Sequence, residues 1–283
     1  MVRYMEQINY FDNELKYKLY SDITKIIHPT ISKKNISSYK IVLNEDIVPV
    51  RVFYPHRVSQ LDNVIIYIHG ISSVSLCNNR YSYICTELAY RTNQLVIAID
   101  YDEEKKYLNC LDDCLKCAIF LKDELDKVNI SSSHITLMGD SIGATMVLGI
   151  SKIMNDVSLK TILVSPVVSD HCFSDLAVDK NDKANRDLIN NLQKYYKAKL
   201  SFKKNYKDPL VFPYLDKDKI CCKALVILGD RDIFREDILD FVKSMDSEIL
   251  EIEHANHTFL KDMDFVVANT FYNRISLFLL DIK

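Results

Sequence analysis

Short apolar runs and amphipathic segments alternate along the chain from about residue 60 onward. Near-continuous apolar runs are typical of strands covered on both faces, whereas apolar residues at steps of three and four are typical of helices. On this basis we predict strands at residues 64–68, 95–99, 135–138, 161–165, 224–228 and 248–252. We predict helices at residues 81–90, 108–122, 144–154, 236–245 and 265–279. The alternation predicts an α/β fold with a mostly parallel central sheet and helices on both faces.

Two more strands are predicted near the start of the chain, at residues 39–43 and 47–54. Only a short turn, Asn44–Asp46, separates them. Strands joined by so short a connection pair antiparallel, so we expect these two at one edge of the sheet. The sheet then has about eight strands.

Two segments fall outside this alternation. Residues 1–28 carry apolar residues at helical steps, and this helix is expected to end at His28 because the residue before a proline is disfavoured in the helical conformation. Residues 170–215 are polar, with one predicted helix around residues 188–196. We interpret residues 1–38 and 170–215 as a small helical cap over the strand ends of a single domain that spans residues 1–283.

Composition narrows the class of protein. The chain has 283 residues, of which 48% are hydrophobic and 27% charged, and its net charge is -3. These values are ordinary for a globular protein and carry no electrostatic signature of nucleic-acid binding. No apolar run approaches the length that spans a bilayer, and the first residues lack the apolar core of a signal peptide. We therefore expect a cytoplasmic protein without a membrane span, and the sequence is compatible with a homodimer.

The eight cysteines are expected to be reduced thiols. Cys110, Cys114 and Cys117 share one face of a predicted helix, but a metal site would need further His or Cys nearby, and the sequence offers none. Free cysteine is among the most buried residue types, so we interpret the three as small core residues and expect no metal.

Glycine is scarce and its placement is informative. The chain has five glycines, where average usage would give about twenty. Four of them follow predicted strands or flank Ser141. The segment Gly139-Asp-Ser-Ile-Gly143 lies between a predicted strand and a predicted helix, which is the pattern of a nucleophile elbow. In so tight a turn a Cβ at either glycine would clash, and Ser141 becomes the candidate nucleophile.

A serine hydroxyl needs a base and an orienting carboxylate, which in this architecture follow it in the order acid, then histidine. His171, His254 and His257 come after Ser141, and only the last two follow a predicted strand. We favour His257, which lies further into its loop.

The acid is expected in the loop after the strand at 224–228, where Asp230 and Asp232 compete. We favour Asp232, because it lies deeper in the loop and precedes an apolar pair, and we interpret Asp230 as an exposed residue or a helix cap. The oxyanion of an acyl-transfer intermediate needs backbone N–H donors. One is expected at Ile142 and the others in the loop that contains His69, Gly70, Ile71 and Ser72.

Several of these segments resemble one known family. His69-Gly70 lies where the hormone-sensitive-lipase-like α/β hydrolases, which include many bacterial carboxylesterases, have His-Gly-Gly-Gly. The resemblance extends over residues 62–262 and includes six further segments: Ala98–Tyr101, Leu111–Leu115, Gly139–Ala144, Asp208–Leu210, Gly229–Asp232 and His257–Phe259. It implies an α/β-hydrolase fold, a triad of Ser141, Asp232 and His257, and an oxyanion hole formed by the N–H groups of Ile71, Ser72 and Ile142.

The sequence also departs from that family. Ile71 and Ser72 replace two glycines of the oxyanion loop, which leaves the backbone donors in place but restricts φ and narrows the pocket. Asp102–Lys106 replaces the family's Arg-Leu-Ala-Pro-Glu run. We therefore expect altered packing beside the site.

The sequence favours a serine carboxylesterase that acts on small-molecule esters with a small or medium acyl group and needs no cofactor. An acyltransferase, amidase or peptidase could use the same three residues. A non-catalytic ligand-binding protein is the third hypothesis, supported by the altered oxyanion loop. Residues 180–207 hold nine Lys or Arg against two Asp, which indicates either a solvated helix face or a site for an anionic substrate group.

Overall fold

An eight-stranded sheet runs through the computed structural model, which describes residues 36–43, 46–55, 63–71, 78–127, 129–173, 183–200, 206–220 and 222–281. The strands are β1 (Ile36–Leu43), β2 (Asp46–Phe53), β3 (Val64–Ile68), β4 (Leu95–Ile99), β5 (Ile135–Asp140), β6 (Lys160–Val164), β7 (Lys223–Gly229) and β8 (Ser247–Ile252). Their order in the sheet is β1-β2-β4-β3-β5-β6-β7-β8. β2 is antiparallel to both of its neighbours, and the strands from β3 to β8 are parallel. The predicted mostly parallel sheet and its antiparallel edge are confirmed.

Helices cover both faces of the sheet. They are α1 (Asn78–Thr92), α2 (Tyr107–Asp126), α3 (Ile142–Met154), α4 (Lys183–Lys199), α5 (Arg235–Val242) and α6 (Phe265–Leu279). Alternate residues of each central strand face opposite layers. Val64, Ile66 and Ile68 pack with α2 and α3, whereas Ile65 and Tyr67 pack with α1 and α6. Both faces of the strand are therefore buried, which explains its continuous apolar run.

Some boundaries differ from the predicted ones. β1 begins at Ile36, so residues 36–38, predicted as part of the cap, belong to the sheet, where they pair with residues 51–53. Asp46, predicted in the turn, is the first residue of β2. α5 ends at Val242, three residues before the predicted end at Met245. Its last carbonyl oxygens accept hydrogen bonds from the hydroxyls of Ser244 and Ser247 as the chain turns into β8.

The predicted helix at residues 1–28 lies outside the described residues. Of residues 170–215, the structure describes a short 3-10 helix, His171–Phe173, the longer helix α4, and the chain from residue 206 onward. The apolar face of α4 is buried through Leu188, Leu192, Tyr195 and Tyr196, while Lys194 and Lys197 are exposed. For α4, this arrangement fits the solvated helix face.

Three further observations bear on the composition. Cys110, Cys114 and Cys117 are fully buried and free, as predicted, and burial raises the pKa of Cys110 to about 12. Within the described ranges, His, Cys, Asp and Glu form no group of three or more that could hold a metal ion. None of the described helices has the length and apolarity needed to cross a membrane.

Candidate active site

Ser141 occupies the turn between β5 and α3. Its φ of 50° and ψ of -120° lie in a region that residues with a Cβ rarely adopt. Two backbone hydrogen bonds hold it there: its N–H donates to the Val164 carbonyl oxygen at 2.8 Å, and its carbonyl oxygen accepts from the Thr145 N–H at 3.1 Å. Such local strain persists where the surrounding structure fixes it, and it is concentrated at functional sites.

The glycines that flank Ser141 permit this turn, as the sequence indicated. A Cβ on Gly139 would lie 2.6 Å from the backbone of Gly143, and a Cβ on Gly143 would lie 2.2 Å from the Ile68 carbonyl oxygen. Both distances are far below van der Waals contact, and the obstructing atoms belong to backbone. The turn therefore forces glycine at both positions.

We expect Gly143→Ala to destabilise the protein by about 3 kcal/mol or more, since the added methyl group meets backbone that cannot move aside. The measurement is the free energy of unfolding in urea. Gly149→Ala in the same helix is the matched control, because there the Cβ would lie 3.4 Å from a Leu111 methyl group, an ordinary contact. Alanine favours helix over glycine, so this control is expected to be neutral or to stabilise by up to about 1 kcal/mol. Equal losses in both variants would contradict the steric explanation.

The loops after β7 and β8 bring an acid and a histidine to Ser141. The Ser141 Oγ lies 2.9 Å from His257 Nε2, and His257 Nδ1 lies 3.0 and 3.1 Å from the two carboxylate oxygens of Asp232. The three residues are only 3 to 5% exposed. The two loops touch at Gly229, where a Cβ would lie 2.1 Å from the Ala255 carbonyl oxygen. The structure thus brings together the three residues that the sequence selected.

Asp232 remains a carboxylate although it is buried. Burial raises its pKa. Two neighbours lower the pKa by more than burial raises it: His257, through its charge and its hydrogen bond, and the Phe234 N–H, which donates to Oδ1 at 3.0 Å. The pKa of Asp232 consequently lies below its ordinary value, so the side chain is ionised at neutral pH. An ionised acceptor at Nδ1 keeps the proton of His257 on that nitrogen and leaves Nε2 free to accept the Ser141 proton.

The competing residues lie apart from this cluster. Asp230 is exposed, and His254 is exposed beside Arg231, with 2.8 Å between its Nδ1 and an Arg231 guanidinium nitrogen. The side chain of His171 is 49% exposed and pairs with Asp237 at 2.6 Å. None of the three is in hydrogen-bond contact with Ser141 in the described structure.

The candidate oxyanion donors are only partly described. Ile142 is the first residue of α3, and its N–H belongs to the positive end of that helix dipole. Ile71 follows the end of β3, and its side chain is 1% exposed. Ser72 lies outside the described residues. Its contribution stays a prediction.

Asp140 is a residue of this site that the sequence did not reveal. It lies between Gly139 and Ser141 in the elbow, and it is 2% exposed. Its Oδ1 accepts from the Tyr67 hydroxyl at 2.6 Å and from the Gly70 N–H at 3.0 Å. Its signals in the sequence are its place in the Gly139–Ala144 segment that resembles the family and its position at the end of a buried strand. Through it, the nucleophile turn and the loop after β3 are connected directly.

Comparison with known proteins agrees with this architecture. A family model described as alpha/beta hydrolase fold matches residues 65–261, which is more than half of the chain. The chain belongs to the hormone-sensitive-lipase-like family of α/β hydrolases. The predicted family and fold are confirmed.

Three proteins that are similar to this α/β hydrolase are distant from it in sequence. Human arylacetamide deacetylase-like 4 is 23% identical over an alignment of 168 residues that covers 55% of this chain and 41% of that protein. A solved structure named arylesterase has a TM-score of 0.74 at 21% identity and covers 100% of this chain and 96% of its own. An esterase from the archaeon Pyrobaculum calidifontis has a TM-score of 0.74 at 16% identity, and the match covers 95% of this chain and 92% of the esterase. At these identities the structural likeness concerns the fold.

Proposed function

We propose that this hydrolase is a serine carboxylesterase. The observation that carries the proposal is the buried hydrogen-bonded series Asp232–His257–Ser141, with 3.0 Å and 2.9 Å at its two links. A serine linked to a histidine that is in turn oriented by a carboxylate is the arrangement that activates a hydroxyl for acyl transfer. The printed names of the two solved structures above, an arylesterase and an esterase, support an ester as substrate.

The reaction would proceed in two halves. Ser141 Oγ attacks the ester carbonyl carbon while its proton passes to His257 Nε2, and the N–H groups of Ile71, Ser72 and Ile142 stabilise the oxyanion. The intermediate collapses, and the leaving alcohol takes the proton from His257. Water then attacks the acyl group on Ser141 with His257 again as base, which releases the carboxylic acid.

The acyl group is expected to be small or medium. Ile71 places a side chain where the family's oxyanion loop has glycine, and this side chain is buried. A branched side chain on a residue that carries a candidate oxyanion donor leaves less room in the loop than glycine would. This argument supports short acyl chains over long ones.

Hydrolysis of p-nitrophenyl acetate, butyrate, octanoate and palmitate tests the proposal. We expect kcat/KM to be highest for acetate or butyrate and to fall by about tenfold or more at palmitate, since long chains do not fit. Product analysis with added alcohols and amines is expected to yield the free acid as the main product. A rate that rises up to palmitate would contradict the acyl preference. A folded protein that cleaves none of these esters and leaves a fluorophosphonate probe unreacted would contradict the proposed function.

A further inference from the structure

Gly70, in the loop after β3, is held on both sides of its backbone. Its N–H donates to Asp140 Oδ1 at 3.0 Å. Its carbonyl oxygen accepts from the Tyr81 hydroxyl at 3.0 Å and lies 2.7 Å from His69 Nδ1, which donates to it when the ring proton is on that nitrogen. A second acceptor for the Tyr81 hydroxyl, Asp140 Oδ2, is further away at 3.5 Å. The Gly70 carbonyl group is therefore the favoured partner of Tyr81.

The direction of this carbonyl group determines the direction of the next N–H. The peptide between Gly70 and Ile71 is planar, and in the trans form the C=O of one residue and the N–H of the next point in opposite directions. A donor that fixes the Gly70 carbonyl oxygen consequently fixes the Ile71 N–H as well. That N–H is one of the donors assigned above to the oxyanion.

We infer that Tyr81 is a positioning residue that aims the Ile71 N–H at the oxyanion by holding the Gly70 carbonyl group. The inference rests on the proposed serine-hydrolase function. It extends that function by giving a role to a residue of α1.

The surroundings of Tyr81 suit this role because they are closely packed. Tyr81 is 1% exposed, and its ring lies 4.8 Å from that of His69. The His69 ring also stacks on that of Tyr101 at 4.5 Å, and the Tyr101 hydroxyl donates to the His69 carbonyl oxygen at 3.0 Å. Tyr67 holds Asp140 at 2.6 Å. Preorganised donors stabilise a transition state most because they need no rearrangement during the reaction. The contacts among Tyr81, His69 and Tyr101 can therefore supply a restraint that the loop after β3 does not provide by itself.

Tyr81→Phe tests the inference, since it removes the hydroxyl and keeps the ring. We expect kcat for the best p-nitrophenyl ester to fall about tenfold, with KM within about twofold. The misdirected N–H no longer donates to the oxyanion of the transition state, whereas binding of the ester itself does not depend on this hydrogen bond. The inhibition constant of a trifluoromethyl ketone is expected to rise by the same factor, since this compound forms an oxyanion on Ser141. Tyr83→Phe on the same helix is the matched control, because Tyr83 is 63% exposed, and it should change neither value by more than about twofold.

Fluorophosphonate titration gives the concentration of active sites, so that partial unfolding is not read as lost catalysis. In that reaction Ser141 Oγ bonds to phosphorus, fluoride leaves and the serine proton passes to His257. If thermal unfolding shows that Tyr81→Phe is destabilised, the same values are measured for both proteins at a temperature well below the unfolding midpoint of the variant, with the same expected result.

The outcomes separate the inference from the function on which it rests. An active wild-type protein with unchanged kcat and ketone affinity in Tyr81→Phe would overturn the inference alone, and so would a change confined to KM. A wild-type protein that neither cleaves esters nor reacts with the fluorophosphonate would overturn the proposed function and the inference together.

Discussion

Ser141→Ala is expected to lower kcat for ester hydrolysis by about 10⁴-fold or more. The proposed reaction requires a covalent bond to the Ser141 oxygen, and the residual rate would come only from substrate binding and the oxyanion donors. The measurement is the initial rate of p-nitrophenyl butyrate hydrolysis at saturating substrate. Ser131→Ala is the control: Ser131 is exposed before the start of β5, so its loss should leave the rate unchanged within about twofold. A variant at position 141 that keeps a tenth of the wild-type rate would show that another group is the nucleophile.

The strain at Ser141 adds a second expectation that depends on backbone geometry alone. Alanine has the same Cβ as serine and suffers the same cost at a φ of 50° and ψ of -120°. Glycine adopts this region readily. We therefore expect Ser141→Gly to be as inactive as Ser141→Ala but more stable by about 1 kcal/mol, measured by urea unfolding. Equal stability of the two variants would mean that the turn stores little strain.

The central strands could be predicted from sequence because both of their faces are covered. Residues 64–68 and 95–99 are continuous apolar runs, and the structure gives these bounds to β3 and β4. The end of α5 was not predicted correctly. Serine hydroxyls cap its last carbonyl oxygens where the chain turns into β8, and such hydrogen bonds leave no apolar pattern in the sequence. The spacing of apolar residues therefore predicts the position of a helix or strand better than its last residue.

The residues of the candidate site also divide into those that could be predicted from the sequence and those that could not. Ser141, Asp232 and His257 could be selected because each lies in a loop directly after a predicted strand, and parallel strands bring such loops to one edge of the sheet. The contacts of Tyr81 and Asp140 could not be predicted. A tyrosine on a helix carries no distinctive pattern, and the resemblance of the elbow does not say what its aspartate contacts. Their contacts with Gly70 join residues 11 and 70 positions apart. Only the folded chain brings these side chains to the loop after β3.

Asp232→Asn is expected to lower kcat by about 10³- to 10⁴-fold while the fold is retained. The physical reason is the direction of one hydrogen bond. The Asp232 carboxylate can only accept, so it holds the His257 proton on Nδ1 at 3.0 Å. An asparagine amide can donate to Nδ1 instead, which favours the tautomer with its proton on Nε2. That tautomer presents a proton to Ser141 where a base is needed.

Asp230→Asn provides the matched comparison, with the same chemical change two residues earlier in the same loop. Asp230 is exposed, whereas the Asp232 side chain is 0% exposed against His257. We expect Asp230→Asn to change kcat by less than about twofold. Initial rates with p-nitrophenyl butyrate and thermal unfolding of both variants complete the measurement. A large loss in Asp230→Asn with little effect in Asp232→Asn would transfer the orienting role to Asp230 and contradict the assignment. Similar large losses in both would indicate that the loop tolerates no amide, so the effect would then report on folding of the loop and not on the tautomer of His257.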